Sequence, residues 1–140
     1  VATIGPVRFL NDSKGTNPDS TIKAVKAMTG PTVLILGGYD KGTSFRDLGK
    51  VIEQSGTIRH CVLLGQTAEQ IREALQDAGF VNIHQTESLK EAVEVSLHLA
   101  KKGGTVLFSP ACASFDMFKD YEERGRAFKA LVLQLQEKGE

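Results

Sequence analysis

The sequence has no tryptophan, and aromatic residues make up only 6% of it. Proteins that stack nucleic-acid bases need aromatic platforms, so this composition disfavours that role. Lysine and arginine together number 17, as do aspartate and glutamate, and the formal net charge is zero. A nucleic-acid binder would show a basic excess. We therefore predict no nucleic-acid partner.

Cysteine is also scarce, with only Cys61 and Cys112 in 140 residues. They form no metal-ligand pattern, which indicates a reduced, cytoplasmic protein without a disulfide framework. We expect both thiols to be buried packing groups. The three histidines, His60, His84 and His98, have no ligand-like spacing and are interpreted as structural or surface residues. The sequence alone therefore predicts no metal site.

No apolar run approaches the length of a membrane span, and the first residues lack the charged start of a signal peptide. We predict no membrane partner. The length suits one domain with one core, residues 1–140. Because the chain begins with Val1 and not with methionine, we expect either a fragment of a longer protein or a processed one.

Short apolar runs alternate with capped helices along the chain. The predicted strands cover residues 7–10, 32–36, 60–64, 81–84 and 105–108. Asn17 before Pro18 is typical of a helix start. Further helix starts are indicated by the pairs Ser44/Asp47, Thr67/Gln70, Ser88/Glu91 and Asp120/Glu123. Apolar strands that alternate with helices predict an α/β domain: a Rossmann-like open sheet, mostly parallel, with helices on both faces.

Three polar segments follow predicted strands, where open sheets bind ligands. Residues 11–17 place a carboxylate, an ammonium group and hydroxyls before a helix, whose N-terminal amides favour an anion. The alternative is a solvated cap, and the density of functional groups favours a site. Residues 37–44 contain Lys41, but that lysine precedes Gly42, so the segment does not fit a phosphate loop. A flexible surface turn remains an equal alternative for this segment.

In the third segment, residues 109–121, small residues come first and two aromatic ones follow within 109–118. Ser114 is placed to present a hydroxyl, but no histidine near it in sequence could act as its base, and Cys112 is no better as a nucleophile. The three segments together supply cations, hydroxyls and helix N-termini, which suit a small substrate with carboxylates. The residues themselves therefore predict an anion-binding domain without complete catalytic machinery.

Three stretches resemble the Mur ligases of peptidoglycan synthesis, and within that family the D-glutamate-adding branch. They are NDSKGTN at residues 11–17, LGGYDKG at 36–42 and SPACASFDMF at 109–118, and the stretch YEERGRAF at 121–128 also fits. The resemblance spans nearly the whole chain but only the last of the family's three domains. It implies ATP-dependent amide formation through an acyl phosphate. It further implies that ATP and Mg²⁺ are held mainly by a middle domain outside this chain and that this chain holds no cofactor.

The resemblance also implies ligand-binding roles for individual residues. Thr16, Lys41 and Ser114 match positions that hold the carboxylates of D-glutamate. Lys14 matches a lysine near the same pocket, and Asp12 an aspartate on the nucleotide side. No catalytic residue and no metal ligand is expected in this domain.

Two further matches involve the backbone. Phe115 falls where a backbone N–H contact is expected, and Tyr121 falls where the family commonly has phenylalanine and contributes through its backbone. Gly15 replaces the usual alanine, a change expected to be tolerated. The second substrate, UDP-N-acetylmuramoyl-L-alanine, is expected to bind through the missing domains.

Two other interpretations compete. Another Mur ligase is possible because the stretch Asn17-Pro18-Asp19-Ser20 also occurs in the D-alanyl-D-alanine-adding branch. The stretches at 37–41 and 109–114 favour D-glutamate, and the Asp-Asn-Pro-Arg motif of the diaminopimelate-adding branch is absent. A non-catalytic anion- or nucleotide-binding module would explain the fold but not three motif matches in the right order.

Overall fold

The computed structural model describes residues 2–39, 42, 44–100, 103–112, 114 and 118–138. The strands within these residues are β1 (Ala2–Ile4), β2 (Val7–Asn11), β3 (Thr32–Leu36), β4 (Ile58–Leu63), β5 (Ile83–Gln85) and β6 (Gly104–Phe108). The helices are α1 (Pro18–Ala27), α2 (Arg46–Ser55), α3 (Ala68–Asp77), α4 (Leu89–Leu99) and α5 (Tyr121–Lys138). None of these described helices is long and apolar enough to cross a membrane.

The strands form one sheet with the order β1-β2-β6-β3-β4-β5. β1 pairs antiparallel with β2, and the pairs β2–β6, β6–β3, β3–β4 and β4–β5 are all parallel. The predicted mostly parallel α/β sheet is therefore confirmed. The short edge strand β1, which turns into β2 through Gly5 and Pro6, was not predicted.

The core lies on both faces of the sheet because successive strand residues point to opposite sides. Leu34 and Leu36 of β3 pack in a cluster with residues of α1, α2 and α3. Val33 and Ile35, from the same strand, pack in a second cluster with residues of α4 and α5. All five residues of β3 are buried, which explains why its sequence is apolar throughout.

Three of the predicted helix starts are made by side-chain caps. The Asn17 side chain accepts a hydrogen bond from the Ser20 amide (3.0 Å), and Pro18 begins α1. The Ser88 hydroxyl accepts from the Glu91 amide at 3.1 Å. Before α5, the carboxylate of Asp120 accepts from the amide of Glu123 at 2.8 Å. These caps satisfy N–H groups that a helix leaves without internal partners.

The other two predicted boxes are wrong. α2 begins at Arg46 after Phe45, so Ser44 lies outside the cap position and its hydroxyl accepts from the Arg46 amide instead (3.3 Å). Thr67 does occupy the cap position of α3, but its side chain makes no capping bond. The Thr67 hydroxyl is engaged by another part of the fold, at the carboxyl edge of the sheet.

Candidate functional site

The strand order brings the three polar segments together. β6 lies between β2 and β3, so the chain leaves three adjacent parallel strands at the same edge of the sheet. The segments after residues 11, 36 and 108 are thus neighbours, although they are far apart in sequence. This edge is where open α/β sheets bind ligands. The topology therefore brings the three predicted segments to one edge of the sheet.

Asp12 and Ser109 join the first segment to the third. The Ser109 hydroxyl donates to Oδ2 of Asp12 at 2.7 Å, and the Asp12 amide donates to the carbonyl of Phe108 at 2.7 Å. Thr21, buried in α1, donates its hydroxyl to the Ser109 carbonyl at 3.1 Å. The half-buried Asp12 carboxylate is consequently held at the edge by charge-assisted bonding, in one orientation.

A tight turn follows Asp12. The Gly15 amide donates to the Asp12 carbonyl (2.8 Å), and the Gly15 carbonyl accepts from the Ala111 amide (3.0 Å) of the third segment. A methyl group at Gly15 would lie 3.0 Å from both Asp12 Oδ2 and Ser109 Oγ, which is closer than ordinary contact. An alanine here would require this pair to shift, so glycine suits the observed geometry. The turn leaves Lys14 exposed and Thr16 half-buried beside the start of α1.

Arg124 ties the first and third segments to α5. It is 3% exposed, and it donates to the carbonyls of Ser13 and Cys112 (2.8 Å each) and to the Ser13 hydroxyl (3.1 Å). The Ser13 hydroxyl in turn donates to the carbonyl of Tyr121 at 2.8 Å. The planar fork of a guanidinium can serve several acceptors at fixed angles. Arg124 therefore holds three chain segments in one arrangement.

Backbone hydrogen bonds connect the start of the second segment, Gly37 and Gly38, to chain on both sides of it. The Gly37 amide donates to the carbonyl of Pro110 at 2.9 Å, which joins it to the third segment. The Gly38 amide donates to the Thr67 hydroxyl, and the Thr67 amide donates to the Gly38 carbonyl, both at 3.1 Å. Gly37 has φ +125° and passes so close to Leu64 that a Cβ would overlap its carbonyl. A glycine is required here because of both the backbone angle and the close approach.

The predicted ligand-binding residues differ in where the structure places them. Lys14, Thr16 and Asp12 share the segment after β2. Ser114 is buried, with 2% of its surface exposed. Tyr121 begins α5, and its ring is exposed. Its backbone carbonyl accepts a hydrogen bond from the Ser13 hydroxyl, which is a contact within the domain. Lys41 and Phe115 lie outside the described residues, so their predicted roles remain predictions.

Three residues that organise this edge were not singled out from the sequence. Arg124 and Ser109 occur in the sequence only as members of the matching stretches, and Thr67 has the pattern of a helix cap. The signal for Arg124 is its spacing, because a residue four positions before Phe128 lies on the apolar face of the same helix. An arginine on that face needs hydrogen-bond partners. Nothing local to Thr67 predicts that it faces Gly38, because that contact depends on strand order.

The cysteines and two of the histidines lie in the sheet or against it. Cys61 and Cys112 are both buried, as predicted, and burial raises the pKa of the Cys61 thiol well above its usual value. The parallel pairing of β4 and β5 brings His60 and His84 into contact. Burial and, secondarily, the charge of His84 lower the pKa of His60. Sequence spacing did not predict this histidine contact.

The strand order and the helices on both faces define an open, mostly parallel α/β domain. The family described as Mur ligase, glutamate ligase domain, matches residues 1–112. The chain belongs to this family.

Over 135 residues it is 51% identical to a UDP-N-acetylmuramoylalanine--D-glutamate ligase of Caldicellulosiruptor saccharolyticus, covering 96% of this chain and 29% of that protein. Proteins of the same name from Caldanaerobacter subterraneus subsp. tengcongensis and Pelotomaculum thermopropionicum are 48% and 47% identical, with 96% of this chain covered in each case. The chain spans 30% and 29% of their respective lengths.

Proposed function

We propose that this chain is the C-terminal, amino-acid-binding domain of a cytoplasmic ATP-dependent ligase that adds D-glutamate to UDP-N-acetylmuramoyl-L-alanine in peptidoglycan synthesis. The observation that carries the proposal is the alignment of 96% of the chain with ligases whose names specify D-glutamate. The meeting of the three polar segments at one sheet edge supports it independently, because a ligand could contact all three at once.

The chemistry of this edge suits an amino acid with two carboxylates. Lys14 is exposed and Thr16 is half-buried on the turn that precedes α1. Lys41 and Ser114 are proposed to complete the carboxylate contacts from the second and third segments. Carboxylates lose hydration when they bind, so ammonium and hydroxyl groups must replace those hydrogen bonds. The edge is therefore proposed to orient D-glutamate, leaving its amine to react.

Asp12 is proposed to contact the nucleotide, over which this domain is proposed to close. A carboxylate accepts hydrogen bonds and repels phosphate, so Asp12 suits a hydroxyl or amine of the nucleotide and not its phosphates. The sequence contains no phosphate loop, which agrees with the phosphates and Mg²⁺ being held by another domain. When bound there, ATP would supply the phosphoryl group that activates the carboxylate of the UDP-linked substrate.

The contribution of this domain to rate is then positioning. The amine of D-glutamate attacks the activated acyl carbon, phosphate leaves, and an amide forms. Holding the amine in line converts a bimolecular encounter into a reaction within one complex, which can contribute about 7–11 kcal/mol. Because the two reactants are held by different domains, this also requires domain closure. No side chain of this chain is proposed to transfer a proton or form a covalent bond.

The experiment is steady-state kinetics on the full-length enzyme with Lys41→Ala, and with Lys23→Ala as the matched control on the exposed side of α1. Loss of a charged hydrogen bond corresponds to about 1.5–3 kcal/mol, or roughly tenfold or more in the Michaelis constant for D-glutamate. The Michaelis constant for ATP should change far less. Equal changes for both substrates would contradict the role of Lys41, and a preference for another amino acid would favour another Mur ligase.

A second measurement addresses the division into domains. The 140-residue chain alone should show no ligase turnover, because it lacks a phosphate loop. Turnover by this chain would contradict the proposal. A start codon directly before Val1 in the native gene would support a free-standing binding module, whereas an upstream Gly-x-x-x-x-Gly-Lys-Thr/Ser stretch supports the ligase.

A further inference from the structure

A pair of imidazoles lies outside the edge described above. His60 in β4 and His84 in β5 are both half-buried, and β5 ends the sheet at the side opposite β1. The register pairs Val62 with His84, so His60 lies two residues earlier on the neighbouring strand. His60 Nδ1 and His84 Nε2 are 3.2 Å apart, with ring centroids at 5.2 Å and an interplanar angle of 51°.

This separation matches two ligands of one metal ion. Zn²⁺ binds imidazole nitrogen at about 2.0–2.1 Å in tetrahedral geometry, which places two ligand nitrogens about 3.3–3.4 Å apart. Adjacent ligands at a right angle, as in an octahedral site, would be only about 2.8–3.0 Å apart at those bond lengths. The observed 3.2 Å is nearer to the tetrahedral value. The distance between the two nitrogens therefore fits a tetrahedral ion that both imidazoles bind.

We propose that His60 and His84 form a two-imidazole site for a borderline divalent cation, with Zn²⁺ as the preferred ion. Imidazole nitrogen suits zinc, whereas Mg²⁺ prefers oxygen ligands, so this site differs in chemistry from the magnesium of the proposed reaction. Among the residues that the structure describes, no group of three or more histidine, cysteine or acidic ligands could hold a metal ion. The proposed site therefore has two protein ligands, with water in the remaining positions.

The alternative is a simple hydrogen bond between two neutral rings, in which one nitrogen carries a proton and the other accepts it. Zinc binding needs a lone pair on both facing nitrogens. Neutral imidazoles provide these lone pairs when His60 carries its proton on Nε2 and His84 carries its proton on Nδ1. The two states differ in tautomer and not in net charge. They are therefore distinguished by adding the ion, and not by the geometry of the metal-free chain.

The test is calorimetric titration of the 140-residue chain with Zn²⁺ alone. We expect saturable binding of one ion per chain, weakened at least about tenfold by either His60→Gln or His84→Gln, because each leaves a single ligand. His98→Gln is the matched control, since His98 is exposed on α4, and it should bind as the unaltered chain does. Equal zinc affinity in all four proteins, or no saturable binding by the unaltered chain, would overturn the proposal.

A second measurement keeps the test decisive if a variant fails to fold. In nitrogen-detected spectra of the unaltered chain, zinc should shift the ring nitrogens of His60 and His84 together, with the same saturation point. Shifts confined to His98 would overturn the assignment. Neither result depends on ligase activity, so the zinc site and the proposed function succeed or fail separately.

Discussion

Replacing Arg124 with methionine removes a buried guanidinium while keeping a long side chain of similar reach. In the intact fold the guanidinium donates to the carbonyls of Ser13 and Cys112 at 2.8 Å each, and to the Ser13 hydroxyl at 3.1 Å. The hydroxyl retains its bond to Tyr121 after the change, but both carbonyls lose this donor. The substitution therefore removes hydrogen bonds from both of the segments that Arg124 joins, at Ser13 and at Cys112.

The expected loss follows from those two carbonyls. A buried polar group left without its partner costs about 1–3 kcal/mol, so the pair predicts about 2–6 kcal/mol. Methionine fills part of the space, which places the expected value in the lower half of that range. Arg124→Lys keeps the charge but cannot reproduce the planar fork, so its loss should be intermediate. A domain of this kind has only about 5–15 kcal/mol in total, so the effect is readily measured.

The assay is urea unfolding of the 140-residue chain, comparing midpoints at equal slopes. Arg126→Met is the matched control, because Arg126 is exposed in the same helix and its change should stay within about 0.5 kcal/mol. If Arg124→Met were as stable as Arg126→Met, the argument that Arg124 holds the segments together would be refuted. In the full-length enzyme, the same variant should also weaken D-glutamate use, because the segments would no longer be held in register.

Gly37→Ala should destabilise the chain by about 3 kcal/mol or more in urea unfolding, because the new methyl overlaps backbone at a positive φ. Gly56→Ala, with φ +69° and open space, should cost only about 1–2 kcal/mol, and equal losses would argue against the close approach. Thr67→Val should cost about 1–3 kcal/mol and speed hydrogen exchange of the Gly38 amide, whereas Thr67→Ser should not. Stability should fall as pH rises above about 9.0, since the unfolded Cys61 thiol ionises there and the buried one does not. A Cys61→Ala variant that loses stability identically at high pH would contradict that cause.

The sequence predicted those elements well whose start or burial is determined by residues close together in the chain. Asn17 and Pro18 marked the start of α1 because a cap and a fixed φ act within four residues. Residues 32–36 matched β3 because a strand buried on both faces must be apolar throughout. β1 was missed because three residues at a sheet edge carry little pattern. Strand edges elsewhere shifted by one or two residues, as in β4 and β5.

Site residues were harder because their partners are distant in sequence. The segments were identified from composition, yet their assembly depends on β6 lying between β2 and β3, which no local pattern encodes. Thr67 has the sequence of a capping box, but its hydroxyl bonds to Gly38, so a tertiary contact replaced the local one. The contact of His60 with His84 depends on strand register in the same way.

The central position of β6 also bears on how the chain folds during synthesis. β6 is the last of the described strands along the chain and is synthesised after the others, yet both of its neighbours need it for their hydrogen bonds. A nascent chain that ends before residue 104 leaves β2 and β3 with unpaired edges, and such edges recruit other strands. A chain whose synthesis is interrupted between residues 85 and 104 would thus be prone to aggregation, and this domain is protected only once β6 has emerged and paired with both neighbours.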